Sequence, residues 1–192
     1  MVNEPDLEII VIGGSAGSIS VMIQILSALP LQFPLSIVIV LHRLKNVSSE
    51  MNKILSMGRR GLNIHEPDDK EPVQPGTIYL APQNYHLLVE ADKSFGLDYS
   101  ELVNYSRPAI DVTFESVAQV FGPKAVGVLL SGANHDGAAG LQAIVEQGGR
   151  GIVQDPETAE YPTMPRAALA KTQRVDIFTP QQIVTYLESL CC

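Results

Sequence analysis

Three short stretches, LEIIVI at residues 7–12, LSIVIVL at 35–41 and AVGVLL at 125–130, are apolar runs rich in Val and Ile. A strand with one wet face alternates polar with apolar residues. Unbroken runs of this length suit strands buried on both faces, as in the middle of a parallel sheet. Between them the period changes. Ile19, Met22, Ile23 and Leu26 recur at helical spacing, and so do Ile110, Phe114, Val117, Ala118 and Phe121, each set forming one stripe that can lie on a core. Strands alternating with helices predict an α/β fold: a doubly wound, mostly parallel sheet flanked by helices on both faces.

The remaining elements fit that plan. Residues 136–147 read as a helix ended by Gly148-Gly149, 150–153 as a strand and 180–190 as a final helix. Pro108, with Ser106 ahead of it, fits the opening of the helix that carries Ile110. TIYLA at 77–81 and HLLVE at 86–90 flank the turn signal Pro82-Gln83-Asn84 and predict an antiparallel hairpin. No repeat or linker divides the 192 residues, so a single domain over 1–192 is expected.

Charge and cysteine content narrow the function classes. A formal charge of −8 argues against nucleic acid as the main partner, and the pair Arg59-Arg60 is too small a basic cluster to reverse that. Cys191 and Cys192 are adjacent at the end of the chain, where they cannot staple the fold or build a metal site. MVNEPDLEII carries acids where a signal peptide would carry Lys or Arg, and the apolar runs are too short to span a bilayer. A cytoplasmic protein, not inserted in a membrane, is expected.

Chemistry-bearing residues stand at the ends of the three central strands, the edge where a doubly wound sheet binds ligands. Gly13-Gly14-Ser15-Ala16-Gly17 fits G-x-S-x-G between strand and helix, the context in which a sharp turn lifts a nucleophilic serine clear of the sheet. The stretch lacks the three glycines of a dinucleotide fingerprint and the Lys of a Walker loop. A small residue in an ordinary bend is the plain alternative. His42 follows the second run and would serve as base. His65 in a polar loop, His86 in the hairpin and His135 ahead of a helix are less well placed. Asp136 follows the third run. It would orient the imidazole through Nδ1, or merely cap the helix that it precedes.

Several segments, in one order, resemble the catalytic domain of the chemotaxis protein-glutamate methylesterases, the CheB type. They are VIGGSAGS at 11–18, VIVLHR at 38–43, PGTIYLAPQNYHLLV at 75–89, YSRPAIDVTFESVA at 105–118, AVGVLLSGANHDGAAGL at 125–141 and MPRAAL at 164–169. The resemblance implies Ser15 as nucleophile, His42 as general base and later acid, Asp136 as the residue that orients it, and the backbone N–H groups of Ala16 and Ala133 as the oxyanion hole. It implies hydrolysis of glutamate γ-methyl esters, and deamidation of glutamines, on chemoreceptors or related signalling proteins, with no cofactor and no metal. Where such enzymes often carry Thr and Met, this chain has Ala16 and Ala133, and His135 stands where Asn is usual. Only 14 residues precede Ser15, so the receiver domain that usually comes ahead is expected to be absent. Two other readings fit the same residues: a receptor-docking or signalling module without turnover, and a hydrolase of other small esters or amides. The segment 155–166, DPETAEYPTMPR, is a candidate rim loop.

Overall fold

A computed structural model of the chain describes residues 6–43, 50–59 and 61–191. Residues 1–5, Arg60 and Cys192, on which parts of the leader, basic-cluster and cysteine readings rest, lie outside the described residues. In chain order the elements are β1 (Ile9–Gly14), α1 (Ile19–Ala28), β2 (Ser36–Leu41), α2 (Met51–Ser56), β3 (Ile64–His65) and β4 (Ile78–Leu80). There follow β5 (His86–Val89), β6 (Phe95–Asp98), α3 (Ile110–Phe121), β7 (Ala125–Leu129) and α4 (Ala138–Glu146). The chain ends with β8 (Arg150–Gln154), α5 (Thr163–Lys171), β9 (Asp176–Phe178) and α6 (Pro180–Ser189).

Seven strands form one sheet in the order β3-β4-β2-β1-β7-β8-β9, every neighbouring pair parallel. Successive residues of β1 serve opposite faces. Ile9 and Val11 join α3, α4 and α5 in one core, while Ile10 and Ile12 join α1, α2 and α6 in the other. All four are fully buried. Each contributes about 1.5–3 kcal/mol by burial, a sum comparable to the whole net stability of a typical domain. That is why this run tolerates no polar residue. On α1 the buried stripe is Val21, Met22, Ile25 and Leu26, leaving Ile19 exposed at the mouth of the helix. Among the described residues no helix is long and apolar enough to cross a membrane.

The hairpin expected between 77–81 and 86–90 does not form; an antiparallel pair is present, but it joins other strands. β4 lies inside the parallel sheet between β3 and β2, and β5 pairs instead with β6, antiparallel. All three residues of β4 are buried, as an internal strand requires, and Pro82-Gln83-Asn84 takes the chain off the sheet rather than back along it. The true hairpin turns at Glu90–Ser94, where Lys93 adopts φ 63° and Asp92 accepts from the Ser94 N–H at 3.0 Å. The β5–β6 ribbon is fastened to α3: Thr113 Oγ1 donates to Leu87 O at 2.7 Å, and Val89 N–H to Ser116 Oγ at 3.0 Å. The α3 helix begins at Ile110, after an extended Ala109, so Pro108 lies ahead of it rather than in its first turn.

Candidate active site

Chain order along the sheet reverses between β1 and β7, the one place where loops leaving adjacent parallel strands diverge to opposite faces and open a crevice. Ser15 leaves β1 there, Asp136 lies in the loop leaving β7, and His42 leaves β2 on the other side of β1. Register makes the alignment: Gly14 pairs with Leu41 and Gly13 with Leu129, so Ser15 and His42 each stand one residue beyond paired positions.

The glycines ahead of Ser15 are demanded by packing. A Cβ on Gly13 would come within 2.5 Å of Ile110 Cγ2, and one on Gly14 within 2.6 Å of Ser18 Oγ. The turn is then clamped. Ser15 N–H donates to Ser131 O at 2.9 Å, Ser131 Oγ to Ala16 O at 2.8 Å, and Ser18 Oγ to Ser15 O at 2.7 Å. Tyr161 N–H donates to Ser131 Oγ at 2.9 Å, which binds the turn to the segment after β8. Residues 155–162 of that segment are a loop, and Thr163 already begins α5.

Ser15 Oγ lies 3.2 Å from His42 Nδ1, and His42 Nε2 lies 2.7 Å from Asp136 Oδ2. The imidazole therefore faces Asp136 through Nε2, the reverse of the expected Nδ1. The carboxylate fixes the proton on Nε2, which leaves the Nδ1 lone pair toward the serine hydroxyl. Position explains the reversal: His42 enters from the strand flanking β1, and Asp136 sits deeper, beyond β7. Sequence order carries no information on ring orientation.

Asp136 is fully buried yet richly bonded. Oδ2 accepts the N–H of Ile110 at 2.6 Å, and Oδ1 accepts those of Asp111 and Gly137, each at 3.1 Å, as well as Asn104 Nδ2 at 2.9 Å. Burial alone would raise its pKa; His42, Asn104 and the two helix N–H groups overcome that and hold it below the usual carboxylate value. Asp136 is a helix cap after all, but of α3 rather than of α4, the helix that it precedes. Asp111, in the first turn of α3, reciprocates by accepting the Gly140 N–H of α4 at 2.7 Å. Its own carboxyl is pushed up by burial and by the neighbouring Asp136 charge.

The other histidines are engaged elsewhere. His65 stands on the edge strand β3 rather than in a loop and meets Glu71 Oε2 at 2.8 Å. His86 is buried, with Nε2 2.9 Å from Glu101 O, and His135 is exposed. Ala16 and Ala133 are exposed at the two loops flanking Ser15, and among the described residues neither N–H donates to a protein acceptor. Beside His42 opens a cavity of about 250 Å³ lined also by Arg43, Leu102, Tyr105 and Arg107. Sequence reasoning missed Asn104 and Asp111. An Asn able to adopt φ > 0 and an acid in a first helical turn were the only signals, and both are common.

A Ser hydroxyl against an imidazole that is oriented by a buried, ionised carboxylate is equipped for acyl transfer. Comparison with known proteins agrees with that chemistry. The CheB methylesterase family model matches residues 10–187. A putative protein-glutamate methylesterase/protein-glutamine glutaminase of Leptospira interrogans (serovar copenhageni, strain Fiocruz L1-130) is 49% identical over 165 residues, 86% of this chain and 85% of the relative. A protein-glutamate methylesterase/protein-glutamine glutaminase of Pseudomonas syringae pv. syringae (strain B728a) is 37% identical over 88% of this chain and 50% of its own length. The crystal structure of the Thermotoga maritima CheB methylesterase catalytic domain superposes with a TM-score of 0.89 at 32% identity, covering 97% of this chain and all of that one. With its sheet order, its strand-end site and these likenesses, the chain belongs to the CheB methylesterase family.

Proposed function

We propose that the chain is a serine esterase that removes methyl groups from glutamate γ-methyl esters, and deamidates glutamine side chains, on chemoreceptor-type proteins in the cytoplasm. The observation that carries this is the relay Ser15 Oγ, His42 Nδ1, His42 Nε2, Asp136 Oδ2, with contacts of 3.2 and 2.7 Å. As Ser15 Oγ attacks the ester carbonyl, its proton passes to His42 Nδ1 and the carbonyl oxygen takes up negative charge. The N–H groups of Ala16 and Ala133 are the donors for that oxyanion. Collapse breaks the C–O bond to methanol, which leaves with the proton from Nδ1. Water then attacks the acyl-enzyme, losing a proton to Nδ1; collapse breaks the bond to Ser15 Oγ, which takes that proton back, and the glutamic acid product loses its own proton to solvent. For glutamine the leaving group is ammonia. Three side chains, two backbone donors and water balance every step, so the reaction calls for no cofactor or metal.

The catalytic unit is the single domain over residues 1–192. The test is methanol release from methylated receptor fragments, run beside hydrolysis of a simple chromogenic ester. Methanol release that Ser15→Ala lowers by about a thousandfold or more, with the fold intact, supports the reading. Hydrolysis of the chromogenic ester alone points to a small-ester hydrolase, and binding of receptor fragments without turnover to a docking module.

A further inference from the structure

Asn104 stands outside the relay, yet its side-chain NH2 is taken up by two buried carboxyl groups, one of them the Asp136 of the relay. Nδ2 donates to Asp136 Oδ1 at 2.9 Å and to Asp111 Oδ2 at 2.8 Å, which uses both of its protons. Both acceptors are buried carboxyl groups on the two exchanged caps, Asp136 on the N-terminus of α3 and Asp111 on that of α4. Resting on the relay proposed above, we propose that Asn104 is the positioning residue of the site: its neutral amide bridges the two carboxyl groups and fixes the oxygen that orients His42.

A neutral bridge is the suitable one. Two carboxyl groups this close need donors between them. A Lys or Arg would supply these with a full charge, which would compete with the imidazolium formed during turnover for the field of Asp136. An amide donates twice and adds no charge.

The backbone is shaped to aim that amide. Val103 and Ser106 exchange N–H···O bonds of 3.2 and 2.9 Å around a two-residue turn, in which Asn104 has φ 49° and Tyr105 φ 62°. Both central residues are left-handed, as in a type I′ turn, and Asn is one of the few side chains that accept that conformation readily. A residue of Asn's size at this turn reaches the interior while the turn itself stays at the surface.

This property makes a clean experiment possible, because Asn104→Gly keeps the left-handed turn and removes only the amide. The expected result is a kcat about tenfold lower at unchanged KM, the loss of hydrogen bonds to charged acceptors, with near-wild-type circular dichroism. The His42 imidazole N–H held by Asp136 should give a sharp downfield proton resonance in wild type, and that resonance should broaden in the variant as Asp136 loosens. Asn104→Asp, which keeps shape and turn but offers no N–H, should lose at least as much. In wild type the Asn104 side-chain amide protons should exchange slowly with solvent. Wild-type kcat and an unchanged His42 resonance in Asn104→Gly, or fast exchange of the Asn104 amide, would overturn the proposal. Ser15→Ala assayed in parallel separates the two claims: retained hydrolysis there refutes the serine relay, while the resonance still reports on Asn104.

Discussion

At the scale of the residue, Asp136 decides how far catalysis and folding can be separated. Asn normally caps a helix as well as Asp does, which would make Asp136→Asn a test of orientation alone. Here each oxygen is spoken for. Oδ2 faces the Ile110 N–H and His42 Nε2, and Oδ1 faces Asn104 and the N–H groups of Asp111 and Gly137. An NH2 group at Oδ1 meets donors and no acceptor; at Oδ2 it finds an acceptor only in His42 Nε2 of the wrong tautomer and leaves the Ile110 N–H unpaired. The expected outcome for Asp136→Asn is therefore double: kcat falls by about ten-thousandfold through loss of the imidazole tautomer, and stability falls by about 1–3 kcal/mol through unsatisfied buried donors. Urea unfolding beside steady-state kinetics checks both. A variant that loses activity at unchanged stability would show that α3 does not depend on this cap.

Among elements, the turn at Asn104-Tyr105 stores strain beside the site. Tyr105 is 94% exposed, left-handed at φ 62°, and lines the cavity next to His42. A bulky residue pays for that conformation by about 1–2 kcal/mol, and no core packing compensates. Substrate contact is the compensation that its position suggests. Tyr105→Gly should leave stability unchanged or up to about 1 kcal/mol higher, the relief being offset by a more flexible unfolded chain, and should raise KM severalfold on receptor substrate at unchanged kcat. A lower melting temperature would contradict the strain, and an unchanged KM the contact. The central strands were legible in the sequence because β1, β2 and β7 are buried on both faces, which writes itself as unbroken apolar runs. β3, β6 and β9 run two to four residues, too short for any period to register. Ser15, His42 and Asp136 were legible as strand-end residues. Asn104 and Asp111 were not, because their partners come from the meeting of α3 with α4, which no local spacing records. The close contact itself is marked by Gly140, where a Cβ would come within 2.5 Å of Phe114 Cβ and 3.0 Å of Asp111 Cα.

For the whole molecule, the exchanged caps tie catalysis to acid stability. The low pKa of Asp136 comes from native hydrogen bonds, so its ionisation stabilises the fold at any pH above the ordinary value of 3.8. That contribution is lost as pH falls through the lower folded value. Asp111 has the opposite sign. Its raised pKa means that the folded state takes up a proton before the unfolded state does, so acidification favours the fold until the ordinary value is passed. Carboxylates at the surface, such as Glu8 between Lys93 and Lys124, are also lowered, but solvent and salt screen them. With 21 acidic against 13 basic residues, acidification further relieves net repulsion, also a surface effect that salt suppresses. High salt should therefore isolate the buried pair. Urea midpoints measured from neutral pH down to about pH 2 in molar salt should hold or rise slightly through the Asp111 range, then fall below the ordinary Asp value. In Asp136→Asn the late fall should be largely gone and the early rise smaller but still present, because burial, the larger cause of the raised Asp111 pKa, remains when the Asp136 charge is removed. A wild-type fall that disappears in high salt would place the acid sensitivity at the surface and free Asp136 from any part in it.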